Sequence, residues 1–208
     1  MCLWLSGRDQ YDEAAGLTFL EAVENGWWYS APLPDKRRAV GFHTDSDLLP
    51  DSIDRTPAKF LMHAAKTIEL SSLLRRTGFQ PDGPPATICA NSAKLETCAG
   101  KGWLAIGDAA LSLDPLSSQG LFNSLFGALA GAEAADRYLA GHNSAPAEYG
   151  QLMDRIHLNY RRNLAFCYQL EKRWPASPFW KRRHAWRDQP GSPITNAESA
   201  LIGSQFNS

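Results

Sequence analysis

Cysteine is scarce in this chain, with four residues in 208, at positions 2, 89, 98 and 167. None forms a C-x-x-C pair, which excludes zinc-ribbon and thioredoxin-like sites, and four scattered thiols make no disulfide framework. The five histidines, at 43, 63, 142, 157 and 184, lack spacings such as H-E-x-x-H, so each reads as a surface or core histidine and no metal site is expected. No apolar run approaches the ~18 residues of a membrane-spanning helix. The opening MCLWLSGRDQ has no basic segment followed by an apolar stretch and does not read as a signal peptide. Neither charge is in excess: 21 Lys+Arg against 22 Asp+Glu leave a net charge of −1, so the chain as a whole is no polyanion binder. These lacks predict a reduced, cytoplasmic, soluble protein.

Hydrophobic residues make up 44% and charged residues 21%. That composition supports a packed core and excludes disorder throughout. The length suits one domain or one and a half. The charges are unevenly placed. Residues 1–54 carry 4 basic and 10 acidic side chains, and residues 155–187 carry 9 basic and 1 acidic.

Residues 17–44 read as antiparallel strands. LTFLEAVE runs into Asn25-Gly26, then WWYSAPL, then Pro34-Asp35, then RRAVGFHT. Asn-Gly between apolar, aromatic-rich runs signals a type I′ hairpin turn, because both residues tolerate positive φ. Along the second strand Trp27, Tyr29, Ala31 and Leu33 share one face, and Trp28, Ser30 and Pro32 the other. After an acidic loop at 45–55, Thr56 suits an N-cap and Pro57 the first helical position. Phe60, Leu61, Ala64, Ala65 and Ile68 then form one helical stripe. Ser71 and Ser72 interrupt the apolar pattern, which resumes at Leu73 and Leu74, and the helix is expected to stop at Gly78. PDGPP at 81–85 reads as a turn. Two short strands, ATICANS and AKLETC, are expected next. A helix rich in small residues covers 120–140. A further helix opens at Ser144 and Pro146, with Tyr149, Leu152, Met153, Ile156, Tyr160, Leu164, Cys167 and Leu170 as its apolar stripe.

The chemistry lies in residues 102–140, GWLAIGDAALSLDPLSSQGLFNSLFGALAGAEAADRYLA. GWLAIGDAA reads as a buried strand that delivers Gly107 and Asp108 at its carboxyl end, where ligands bind in α/β sheets. Gly107 lets a ligand approach the backbone, and Asp108 offers an acceptor-only carboxylate to ligand hydroxyls. Asp114-Pro115 then makes a turn, and Ser117, Ser118, Gln119 and Gly120 open a helix whose free N–H groups favour anionic ligand atoms. A lone Gly-Asp is common in turns; the ordered set carries the reading. The pattern suits a polyhydroxylated, electron-accepting ligand.

This segment resembles the C-terminal FAD motif of flavoprotein monooxygenases with the p-hydroxybenzoate hydroxylase fold. Gly107 and Asp108 match the Gly-Asp motif, and Ala109 and Ala110 the alanines after it. Asp114, Pro115, Ser118 and Gly120 match the Asp-Pro-x-x-Ser-x-Gly form of the flavin-dependent tryptophan halogenases and their relatives. Gly26-Trp27-Trp28-Tyr29-Ser30-Ala31-Pro32-Leu33 is similar to the halogenase-group segment Gly-Trp-x-Trp-x-Ile-Pro-Leu, with Tyr29 and Ala31 as the departures. The overall impression is of flavoproteins that modify tryptophan during maturation of quinone-cofactor amine oxidases.

The resemblance implies an α/β, mixed α+β fold of the FAD/NAD(P)-binding flavin monooxygenase type. It implies FAD as cofactor, with Asp108 on the ribityl chain. Gly107, Pro115, Ser118 and Gln119 border the flavin, and Gly120, Leu121 and Phe122 offer backbone N–H groups to its ring. Trp27, Trp28 and Tyr29 fall on the substrate side. The substrate would be a small molecule or a protein tryptophan. The family's first βαβ unit, with G-x-G-x-x-G for the ADP half of FAD, is absent from the 208 residues, as is the region that supplies the halogenase lysine. The chain therefore reads as a truncated or split C-terminal part, with an N-terminal FAD-binding half as a possible partner and monooxygenation favoured over halogenation. The rival reading is a non-catalytic remnant or binding module that keeps the fold without FAD.

The resemblance divides the chain into 1–16 without assignment, 17–93 as substrate-side sheet and helix, 94–141 as a return to the FAD-binding domain, 142–187 as a helical C-terminal region and 188–208 as a disordered tail. Gly127 and Gly131 form G-x-x-x-G, which permits close helix–sheet packing. The basic, aromatic stretch RWPASPFWKRRHAWRDQ reads as a solvated face with Trp174, Phe179 and Trp180 docked on the body rather than as a nucleic-acid site. Cys89, Cys98 and Cys167 are expected to be buried small residues.

Overall fold

The computed structural model describes residues 1–11, 17–51, 53–54 and 56–188. The expected tail beyond 188 lies outside the described residues. The chain forms two compact units, Met1–Ala90 with Glu171–Arg182, and Asn91–Leu170 with the chain from Arg183 onward.

The first unit is built on strands β1 (Cys2–Arg8), β2 (Phe19–Val23), β3 (Gly26–Leu33) and β4 (Arg37–His43), followed by helices α1 (Pro57–Ala64) and α2 (Glu69–Thr77) and short strands β5 (Gln80–Pro81) and β6 (Ala86–Ile88). The sheet order is β2-β3-β4-β1-β5, with β6 also on β1, and every pairing is antiparallel. β1, in a region the sequence left without an element, is thus a central strand. Alternation sends Leu3, Leu5, Trp28, Val40 and Phe42 to one face, where α1 and α2 cover them with Phe60, Ala64, Leu70 and Leu73. Each such large side chain contributes on the order of 1.5–3 kcal/mol by leaving water.

Both hairpins form, with a correction to the first. Val23 pairs with Gly26, so the turn residues are Glu24 and Asn25, and neither has positive φ. Gly26 is already in the strand, at φ 155°, because a Cβ there would stand 2.1 Å from the His43 carbonyl oxygen. The positive-φ pair belongs to the second hairpin, at Asp35 (61°) and Lys36 (56°), closed by Arg37 N–H donating to Pro34 O.

The helix expected after Thr56 starts as read, with Thr56 Oγ1 accepting from Lys59 N–H at 3.2 Å, and ends at Gly78 with φ 63°. It is two helices rather than one. Thr67 Oγ1 donates to Ala64 O and accepts from Ser71 N–H, while the Glu21 carboxylate accepts from the N–H groups of Ile68 and Leu70 at 2.8 Å each. These acceptors terminate one helix and start the next. Ile68 falls in the break and is 77% exposed, not on the buried stripe.

Arg38 is fully buried and paired with Asp9 at 2.9 Å. The expected docking of the basic C-terminal stretch is partly seen in this unit. In α5 (Pro178–His184), Phe179 and Trp180 are buried, and Trp180 Nε1 donates to Val23 O. Arg182 forms ion pairs with Asp45 and Asp47, so a cation of the basic C-terminal stretch meets acids of the N-terminal segment.

The second unit holds two small ladders, β7 (Ala93–Lys94) with β10 (Leu111–Ser112) and β8 (Ala99–Gly100) with β9 (Trp103–Leu104), and two long helices, α3 (Gly120–Leu139) and α4 (Ala145–Leu170). The strand expected over GWLAIGDAA shrinks to two residues. Among the described residues β9 pairs on one side only, and Trp103 is 48% exposed. The core is Cys98, Ala110, Leu111, Ala134, Tyr149 and Met153. Gly131 admits Ile106, which a Cβ would meet at 3.0 Å, as the G-x-x-x-G packing reading requires. In α4 the stripe drifts. Tyr149, Met153, Tyr160 and Leu164 are buried as expected, but near the end Ala165 and Tyr168 are buried while Cys167 and Leu170 are exposed. Cys89 is also exposed, so of the three cysteines expected inside only Cys98 is.

Candidate flavin site

Gly107 to Ala109 form a single 3₁₀ turn two residues after β9. Gly107 sits at φ 61°, and a Cβ on it would lie 3.3 Å from Ser124 Oγ in the second turn of α3. The left-handed backbone favours glycine here, and its lack of a Cβ allows close packing on Ser124. Asp108, next to it, is exposed. Gly107 is thereby packed on α3, at Ser124 and Gly127.

The loop before α3 has a defined shape. Asp114 precedes a 3₁₀ turn, Pro115–Ser117, and its Oδ1 accepts from Leu116 N–H at 2.9 Å. Ser117 N–H donates to Asp114 O and Ser118 N–H to Pro115 O. Ser118 then takes φ 53°, and Gln119 N–H donates to Ser117 Oγ. Gln119 is the N-cap position of α3 but its side chain makes no capping bond. The first N–H groups of a helix have no partner within it, so Gly120, Leu121 and Phe122 present donors with the positive dipole end behind them. The side chains of Leu121 and Phe122 are 76% and 63% exposed.

Asp114 carries a feature the sequence did not announce. Tyr168 Oη donates to its Oδ2 at 2.9 Å, and its own N–H donates to Tyr160 Oη at 2.7 Å. Tyr160 Oη also bonds Ser92 Oγ. Burial pushes the Asp114 carboxyl above the usual range, and the bonds from Leu116 N–H and Tyr168 Oη act against it. The two tyrosines lie 46 and 54 residues from Asp114, so no local spacing could reveal them.

In the first unit, Trp27 and Tyr29 share a sheet face with His43 and Cys2. Trp28 does not: it is buried beneath α1, stacked on Phe42 and edge-on to Phe60. Its expected place on the substrate side is therefore corrected to the core. Trp27 stacks flat on His43, centroids 3.8 Å apart, and Cys2 Sγ lies 3.3 Å from His43 Nε2. Burial lowers His43 to about 3 and raises Cys2 to about 11. At neutral pH this is an uncharged thiol beside an uncharged imidazole, not an activated nucleophile. The register of β1 on β4 places the two opposite each other, a relation invisible at a separation of 41 residues.

Among the described residues no group of three or more His, Cys, Asp or Glu could hold a metal ion, and no helix is long and apolar enough to cross a membrane.

No family model matches the chain. It is 31% identical over 170 residues, 80% of its length, to the "Putative FAD-dependent oxidoreductase LodB" of Marinomonas mediterranea, and spans 44% of that relative. The structure superposes with a TM-score of 0.71 on the peptidyl tryptophan dihydroxylase QhpG, at 24% identity, covering 91% of this chain and 44% of that one. It superposes with a TM-score of 0.76 on the myxobacterial FAD-dependent halogenase CndH, at 21% identity, covering 99% of this chain and 47% of that one. The chain thus spans less than half the length of each of these proteins.

Proposed function

We propose that this chain, which has the fold of the FAD-dependent hydroxylases and halogenases and an FAD-dependent oxidoreductase among its sequence relatives, is the flavin-ring portion of such an enzyme, and that the complete enzyme is a monooxygenase of an aromatic, tryptophan-like substrate. The observation that carries the reading is the packing of Gly107 on α3 at Ser124, next to the exposed Asp108, together with a helix start that has no side-chain cap.

The residues fit the cofactor. Gly107 supplies the left-handed backbone that turns the chain just before Asp108 and lets it pack on α3. Asp108, exposed and acceptor-only, suits the hydroxyls of a ribityl chain. The N–H groups of 120–122 and the helix dipole favour the electron-rich edge of an isoalloxazine ring. Bound FAD supplies the redox and oxygen chemistry, and the protein supplies orientation and exclusion of water. Tyr29, half-buried, is the aromatic side chain proposed to face the substrate, with Trp27 buried beside it against His43.

The ADP half of FAD needs donors that lie outside this chain, since no G-x-G-x-x-G occurs in it. A second feature supports an incomplete site. α3 presents Leu121, Phe122, Leu125 and Leu129 at 76, 63, 65 and 70% exposure, an apolar stripe far beyond scattered surface residues. In this reading the length that the relatives have in addition covers the stripe and holds the ADP half.

The experiment is the flavin content of the purified chain, alone and co-expressed with a polypeptide that carries the G-x-G-x-x-G unit, such as the corresponding part of LodB. Flavin retained only in the co-expressed complex is the expected result. No flavin in either preparation overturns the proposal and favours a remnant that has lost the cofactor.

A further inference from the structure

Three side chains of the segment 183–186 gather around Tyr168, whose hydroxyl makes a partly buried hydrogen bond in the second unit. Tyr168 is 1% exposed, and its hydroxyl donates to Asp114 Oδ2 at 2.9 Å. On its other side the ring is enclosed by the segment that follows α4 in this unit. The Arg183 guanidinium lies 5.1 Å from the ring centroid, Trp186 meets it edge-on at 5.6 Å, and His184 Nε2 lies 3.2 Å from the Tyr168 carbonyl oxygen. Asp114 in turn is fixed at three atoms: Oδ2 by Tyr168, Oδ1 by Leu116 N–H and its backbone N–H by Tyr160.

These contacts share one consequence. Residues 114–119 run straight into α3, and their path includes the strained Ser118 at φ 53°. A non-glycine residue holds that conformation only when its surroundings over-determine it. The direction in which the first N–H groups of α3 point is therefore set by how firmly Asp114 is held.

We propose that Tyr168, backed by Arg183 and Trp186, is a positioning residue that locks Asp114 and through it the loop 115–118, so that the end of α4 and the segment 183–186 control the geometry of the α3 start. The proposal rests on the flavin reading for its relevance to a cofactor, but the lock itself is a property of this chain. Tyr160 is the second pin, on the backbone of the same residue. A flavin atom lying on the 120–122 donors would sense a slack loop as a loss of alignment, since hydrogen bonds weaken steeply with angle.

Two measurements separate the lock from the cofactor reading. The first is amide hydrogen exchange of the full chain with Tyr168→Phe and with Asp114→Asn. Tyr168→Phe removes the hydroxyl and keeps the ring among Arg183 and Trp186. It is expected to raise exchange at Leu116–Gln119 by about tenfold or more, the equivalent of ~1.4 kcal/mol, with little change in the middle of α3 or α4. Asp114→Asn keeps an acceptor for Leu116 N–H and a group that can bond the Tyr168 hydroxyl, so exchange should stay within about threefold of the wild type. Exchange at 116–119 unchanged in Tyr168→Phe overturns the lock, as does a rise spread evenly over the unit. Should Tyr168→Phe fail to fold, Trp186→Ala reads the same loop with the hydroxyl bond left in place, and unchanged exchange at 116–119 there overturns the lock.

The second measurement is FAD titration by fluorescence quenching on the same variants, in the flavin-binding form of the protein. Weaker FAD binding in Tyr168→Phe, with Asp114→Asn closer to wild type, is expected. Equal FAD affinity in wild type and Tyr168→Phe, with a loosened loop, overturns the claim that the lock serves the site. Absence of FAD binding by every form, with the exchange result as expected, leaves the lock standing and removes the flavin reading.

Discussion

Cys2 Sγ and His43 Nε2 lie 3.3 Å apart across the β1–β4 ladder, and Trp27 covers the imidazole face to face. A Cys–His pair at this distance would be a nucleophile and base if it were solvated and charged. Here burial keeps both neutral, with His43 down at about 3 and Cys2 up at about 11. The pair is a piece of sheet structure, and it makes two predictions.

The first concerns pH. A histidine whose folded pKa lies below its unfolded value of 6.5 binds its proton only after unfolding. Its contribution is therefore fully present above about pH 6.5 and is lost as the pH falls from there towards about 3. The slope approaches ~1.4 kcal/mol per pH unit in the middle of that window. Urea unfolding between pH 7 and 4 should show the decline, and His43→Gln should flatten it. A slope that persists unchanged in His43→Gln would assign the titration elsewhere.

The second concerns the thiols. Cys2 and Cys98 are buried, and Cys89 and Cys167 are exposed. Iodoacetamide at pH 7.5 should modify Cys89 and Cys167 in the native chain and reach Cys2 and Cys98 only on unfolding, as peptide mass mapping will read. Rapid native modification of Cys2 would mean that the Cys2–His43 pair is charged and open.

The Asp35-Lys36 turn carries two non-glycine residues in the left-handed region, where each L-residue is disfavoured by roughly 1–2 kcal/mol. Lys36→Gly restores the Asp-Gly pair this turn prefers. It is expected to stabilise the protein by about 0.5–1 kcal/mol in denaturant unfolding. Asn25→Gly should give no such gain, because Asn25 has no positive φ to relieve.

Glu21 holds the start of α2 by two bonds of 2.8 Å, to Ile68 N–H and Leu70 N–H. Glu21→Ala is expected to cost about 1–2 kcal/mol, in the range of a lost cap, and Glu21→Gln to recover part of it. An unchanged denaturation midpoint in Glu21→Ala would show that Thr67 alone sets the helix start.

What the sequence made legible was local. Thr56 and Pro57 at the start of α1, Gly78 after α2, the two hairpins and the small-residue face of α3 each follow from neighbours a few positions apart. Asn25-Gly26 misled by one residue, because the demand for glycine came from the His43 carbonyl across the ladder rather than from the turn. The break between α1 and α2 depends on Glu21, some 47 residues away. Trp28 could not be assigned to the core without knowing which sheet face the helices cover. The motif Gly107-Asp108 with Asp114-Pro115 was visible as a string, and the fold places Gly107 against α3. What holds that loop, Tyr160 and Tyr168, was hidden in the apolar stripe of α4, where a tyrosine reads as packing.

Asp108 and the start of α3 are proposed to belong to one flavin site, and equilibrium dialysis of FAD against the purified chain and against Asp108→Ala tests that proposal most directly. Binding weaker than about micromolar is expected for the chain alone, above roughly −8 kcal/mol, and weaker by at least about tenfold in Asp108→Ala, a loss of ~1.4 kcal/mol. FAD affinity equal in the two proteins would contradict the site, and submicromolar binding that Asp108→Ala abolishes would contradict its incompleteness.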